Sequence, residues 1–304
     1  MMKFKLLFCL LMGLIWGAIP AISEDKLPAK PVAGESVADT CAPEAPMNGI
    51  IPFPATELFR PTYASPKEPR FHMTWIRLGL DEETFNAGWV GFGESFGLVR
   101  WPGQTADEGI QLGVSGAVFA QFNLDSDSMD LVNADYIIGF PLSYRRGNWM
   151  ARARLYHQSS HLGDEFLLYP QEIGPVERIN LSFETIELLA GWGSDTIRIS
   201  GGPYYIIHTD TPLERWAVQG GVDILSRPVG SLNARPFFST FLHSWEETDW
   251  DVDISLKAGL SLQSPFNPRR EFQVFGVYFN GNLPFGQFYE DNAEYYGIGI
   301  SFLL

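Results

Sequence analysis

Beyond residue 70 the chain alternates apolar and polar side chains with a period of two, in runs of roughly ten to fourteen residues separated by turn signals. In one run Ile110, Leu112, Val114, Val118, Ala120 and Phe122 share a face, opposed by Gln111, Ser115 and Gln121. The next sets Ala134, Tyr136, Ile138, Phe140, Leu142 and Tyr144 against Asn133, Asp135, Gly139 and Ser143. A later one opposes Val252, Ile254, Leu256, Leu260 and Leu262 to Asp253, Ser255, Lys257 and Gln263. Runs fall at 71–78, 89–101, 110–122, 132–144, 148–161, 177–189, 197–208, 215–225, 235–246, 251–263, 271–280 and 294–304. They predict an all-β fold of about twelve antiparallel strands, an even number as a single-chain barrel with both ends on one side requires.

The fifth run, NWMARARLYHQSSH from Asn148 to His161, indicates which face meets what. Its even positions are Met150, Arg152, Arg154, Tyr156, Gln158 and Ser160, and its odd positions are Trp149, Ala151, Ala153, Leu155, His157, Ser159 and His161. One face thus carries two arginines, and the other is apolar until its far end. That polarity is inside out for a soluble sandwich and natural for a transmembrane barrel, whose polar face lines the lumen and whose apolar face meets lipid. A soluble sandwich or solenoid could show the same alternation. The strand lengths, an export signal and the final run favour the membrane barrel. That final run places Tyr296, Ile298, Ile300, Phe302 and Leu304 opposite Gly297, Gly299 and Ser301, like the closing strand of outer-membrane barrels, although it ends in leucine. Membrane lipids and the outer-membrane assembly machinery are the expected partners. Connections at 145–148 and 193–195 read as short periplasmic turns, and those at 161–176 and 281–292 as long outer loops.

The N-terminus reads as an export signal over residues 1–23: Lys3 and Lys5, an apolar run from Leu6 to Ile19, then Ala21-Ile22-Ser23. Residues 24–69 are proline-rich and read as a periplasmic tail or linker, in which PFPATELF could dock on or plug the barrel mouth. The barrel is expected over 70–304. Removing the signal leaves Cys41 alone, so no intramolecular disulfide forms. It also removes two of 21 basic residues and none of 36 acidic ones, taking the net charge from -15 to -17, which argues against nucleic acid as a partner. No later segment offers the roughly 18–20 consecutive apolar residues of a transmembrane helix.

His157 and Ser159 are two apart on one strand and point the same way. A serine hydroxyl becomes a nucleophile when a neighbouring base takes its proton, and this spacing brings the two side chains together without a loop. LYHQSS, residues 155–160, resembles the active-site strand of the outer-membrane phospholipase A family, and lipid A deacylases share its His-x-Ser arrangement. The resemblance implies a lipid acyl hydrolase, with Ser159 as nucleophile and His157 as base. It also calls for a group to orient the imidazole. The phospholipase spacing lands on Gln171, while Glu177 begins the following run, and the two are alternatives. Asp164 and Glu165 offer carboxylate oxygens suited to calcium, and a homodimer is a further partner to consider. Over about residues 53–304, notably in RINLSFE, SSHLGDEF and GQFYEDNAEYYG, the chain is also similar to an exported bacterial family known only as a domain of unknown function. Asp135, Arg152, Arg154, Gln158, Asn180 and Glu184 are expected on inward faces, as a pore lining or as a network filling a narrow barrel. A non-catalytic pore or a structural surface barrel is therefore the competing reading.

Overall fold

The computed structural model describes residues 49–80, 83–168, 178–230, 233–263 and 270–303. The expected signal, most of the tail, and the candidate residues Gln171 and Glu177 lie outside the described residues. A two-residue strand β1 (Ile51–Pro52) precedes β2 (Phe71–Leu80), β3 (Glu83–Pro102), β4 (Gly109–Asn123), β5 (Leu131–Arg146), β6 (Trp149–Leu162) and a short helix α1 (Asp164–Leu168). There follow β7 (Ser182–Gly193), β8 (Ile197–Thr209), β9 (Trp216–Leu225), β10 (Arg235–Trp245), β11 (Val252–Gln263), β12 (Glu271–Asn282) and β13 (Asn292–Leu303). Each strand from β2 to β13 pairs antiparallel with its sequence neighbours, and β13 returns to β2, so twelve strands close an all-β barrel. Closure leaves no sheet edge unpaired. Among the described residues no helix is long and apolar enough to cross a membrane.

The alternation takes up the two environments in the predicted sense. On β5, Ile138 and Phe140 are 53% and 54% exposed on the outer wall while Asn133, Asp135 and Ser143 are buried in the lumen. On β6, Arg152, Arg154 and Ser160 are buried, and Trp149 and Leu155 face outward. Trp101, Tyr144, Trp149 and Trp192 ring the outer wall near the end that carries both barrel termini, hereafter the turn end, as an interfacial aromatic belt does. Gly147 adopts φ +56° in the tight reversal between β5 and β6, a left-handed conformation that costs glycine little.

Two predicted runs shift. β3 begins at Glu83 instead of 89, because Thr84, Asn86 and Gly88 pair with β2 although they carry no apolar periodicity. β7 spans Ser182–Gly193, displaced from 177–189, and its parity is the reverse of the one expected: Leu181, Phe183, Thr185 and Glu187 face the lumen. Glu184 therefore lies on the outer wall, and Asn180 is exposed at the opposite, loop end, where it binds Asp210. Both had been expected inside. SFETIELLAGWG is apolar on both faces, so its alternation does not reveal which face is which.

The lumen is filled. Residues 53–70 enter from the turn end, burying Leu58, Phe59, Tyr63 and Ala64. Their backbone is bonded to the wall: Tyr63 N donates to Asp223 Oδ1 (3.0 Å) and Ala64 N to Ser239 Oγ (2.8 Å). Arg70 closes the segment on itself, donating to the carbonyls of Tyr63 (2.7 Å) and Thr62 (3.0 Å). Glu68 is buried against Arg152, which also holds Glu187 (2.9 Å), and Arg154 reaches the other Glu187 oxygen (2.9 Å). Lys67 pairs with the buried Asp135. From the loop end the connection between β12 and β13 folds inward. Gly286, at φ +51°, donates its N–H to Asp135 Oδ2 (3.2 Å), and a Cβ there would collide with Ser160 Oγ and the Asn133 amide.

Two outcomes follow. Glu68→Ala leaves the paired arginines short of a counter-charge in a buried site and should lower unfolding free energy by about 3–5 kcal/mol, read from urea unfolding in detergent. Burial pushes the Glu57 carboxyl up to about 7, with Glu94 adding to the rise and Arg100 and Arg152 opposing it. The fold favours the neutral form, so the cost of ionising Glu57 grows as pH rises above the usual value of 4.5 and is complete above about 7. Glu57→Gln should leave the melting temperature unchanged near pH 4.5 and raise it at pH 8.

Candidate active site

β6 and β7 pair with His157 opposite Glu184 and Ser159 opposite Ser182. Directly opposed residues of antiparallel strands share a face, so all four side chains stand on the outer wall. His157 Nδ1 donates to Glu184 Oε1 at 2.9 Å, and the two side chains are 38% and 37% exposed. The second Glu184 oxygen meets His208 Nδ1 at 2.8 Å. His208 reaches it through an irregularity: Thr185 pairs with Ile206 but Glu184 with His208, so Ile207 is an extra residue that re-aims the strand.

One carboxylate thus sits between two imidazoles on a wall that is apolar on its barrel-centre side. Leu155, Ile138 and Ile186 flank the group there, all large and exposed. On its loop-end side stand Ser159, His161 and Arg178, with Arg178 Nη2 3.4 Å from His161 Nδ1. With Nδ1–H engaged by Glu184, the His157 Nε2 carries the lone pair, which is the tautomer a general base needs. Ser159 lies two residues further along the same face.

Register thus sets His157 and Ser159 on one outer face and adds Glu184, expected from the sequence to face inward. A signal for it existed. Glu184 and Glu187 differ by three positions and must face opposite ways on a strand. Arg152 and Arg154 on the lumen side need a carboxylate, so one of the two glutamates faces in, and the strand register, with Arg154 opposite Glu187, selects Glu187 and leaves Glu184 outward. Asp164 and Glu165 lie in the first turn of α1, and Glu165 Oε2 accepts from Leu131 N at 3.3 Å. Calcium takes about six to eight oxygens, and among the described residues no group of three or more His, Cys, Asp or Glu side chains could hold a metal ion. These two carboxylates do not by themselves fit a calcium site.

Fold and wall polarity together define an outer-membrane type of β-barrel. The chain belongs to the family described as "Protein of unknown function (DUF1207)", whose model matches residues 21–304. No curated protein matches it. Among solved structures it is similar to the outer membrane phospholipase A from Escherichia coli, at 13% identity and TM-score 0.51, over 78% of this chain and 92% of that one. An active-site mutant of that protein gives 12% identity and TM-score 0.51 over the same shares, 78% and 92%. The Salmonella typhi outer membrane phospholipase, solved as a dimer with bound calcium, aligns at 13% identity and TM-score 0.47 over 80% and 94%. At such identities the likeness establishes the fold alone.

In a Cys41→Ser background, nitroxide labels at Ser159→Cys and Gln158→Cys should separate the two faces in lipid vesicles. The label at 159 should be relaxed by dissolved oxygen and shielded from a water-soluble nickel chelate, and the label at 158 should be sheltered from oxygen. Equal oxygen accessibility would contradict the wall assignment.

Proposed function

We propose that this protein resides in the bacterial outer membrane and hydrolyses acyl esters of membrane lipids, with Ser159 as nucleophile, His157 as general base and Glu184 as the carboxylate that orients the imidazole. The observation that carries the reading is the 2.9 Å His157–Glu184 contact on the outer wall, with Ser159 two positions along the same face. Ser159 Oγ attacks the ester carbonyl as its proton passes to His157 Nε2. The tetrahedral adduct then expels the alcohol, which takes that proton, and water cleaves the acyl-serine by the same relay in reverse. Ser182, opposite Ser159, offers a hydroxyl to the developing oxyanion. Arg178 and His161 stand where a lipid phosphate would lie, and the apolar wall below accepts the acyl chains without removing them from the bilayer.

The competing pore reading has less support, since residues 53–70 and the β12–β13 connection occupy the lumen from both ends, where Glu68 and Glu187 pair with Arg152 and Arg154, and Lys67 with Asp135.

Protein refolded in detergent and presented with phospholipid or lipid A should release fatty acid from one of them. Ser159→Ala and His157→Ala should lower the rate by about 10³-fold or more, and Glu184→Ala by at least about tenfold. Release that is absent in the native chain, or equal in Ser159→Ala, would remove the hydrolase reading.

A further inference from the structure

Between the inserted N-terminal segment and the β12–β13 connection the lumen keeps a cavity of about 140 Å³. It lies inside the barrel, behind the wall that bears His157 and Ser159, and the proposed hydrolysis makes no use of it. Its walls are ring faces and edges: Tyr156, Phe183, Tyr204, Phe241, Trp245 and Tyr289. One side is polar and ordered. Asp253 Oδ2 accepts from His243 Nδ1 (2.8 Å), and His243 Nε2 accepts from the Tyr204 hydroxyl (2.9 Å), whose ring stacks on the imidazole. Asp253 Oδ1 accepts from the backbone N–H of Asn282 (2.7 Å).

We infer that this cavity is a binding site for a small neutral aromatic molecule of single-ring size, the ring held among the aromatic walls. Size sets the single ring, since an apolar cavity of about 150 Å³ holds benzene. Ring-lined walls favour an aromatic guest through offset and edge-to-face contacts. Neutrality follows from the charges at its margin: Arg154 is paired with Glu187, and Asp253 with His243, so a charged guest would be buried without a counter-ion.

The test uses the full barrel refolded in detergent, with fluorobenzene as probe and fluorine NMR as readout. The native protein should shift the fluorobenzene resonance saturably, with a midpoint on the order of 1 mM. Ser255→Phe and Gln158→Phe fill the cavity from different strands, and either one that retains the mobility of the folded barrel on unheated gels should lose the saturable component. A shift that rises linearly with probe concentration, or is the same in the native and filled proteins, reports partition into detergent and overturns the site. None of these outcomes depends on ester hydrolysis, so the two readings fail separately.

Discussion

Four buried charges govern this molecule. Arg152 and Arg154 from β6, Glu187 from β7 and Glu68 from the inserted segment form a balanced cluster inside the barrel, with Gln219 adding a donor to Glu187 at 2.8 Å. Charges removed from water hold their place only when paired and hydrogen-bonded. The cluster thus fixes which faces of β6 and β7 look inward, and it seats the N-terminal segment at one depth in the lumen. Aromatic faces complete the arrangement, with Arg152 over Phe59 at 4.8 Å and Arg154 over Tyr156 at 4.7 Å.

The outer site is the other side of that decision. With even positions of β6 committed to the cluster, the odd ones must face outward, and His157 and Ser159 go with them. With Glu187 committed on β7, Glu184 faces outward opposite His157. The proposed catalytic group and the structural cluster are thus two faces of the same pair of strands. A substitution in the lumen would be expected to disturb the wall through strand position, without touching the three side chains themselves.

Filling the lumen from both ends separates this barrel from an open channel. Lys67 and Gly286 approach Asp135 from opposite directions, one from the inserted segment and one from the loop end. What is left between them is a small aromatic chamber with its own hydrogen-bonded side, unconnected in chemistry to the wall outside. A barrel closed in this way keeps two separate environments, an apolar outer wall and a small aromatic chamber at its centre.

The sequence by itself determined the strand number, closure into an even barrel, the lumen-facing arginines and the outward histidine and serine, because strict alternation along Ile110–Phe122, Val132–Tyr144 and Asn148–His161 admits one amphipathic solution per strand. It could not determine the parity of β7, whose two faces each carry large apolar side chains and one glutamate, nor the use of residues 53–70, whose prolines suit a tail as well as a plug. Tertiary structure decided both. Cross-strand register set His157 opposite Glu184, and buried charge pairing drew Glu187 and Glu68 to the arginines. Both are contacts between segments distant in the chain, which no local periodicity encodes.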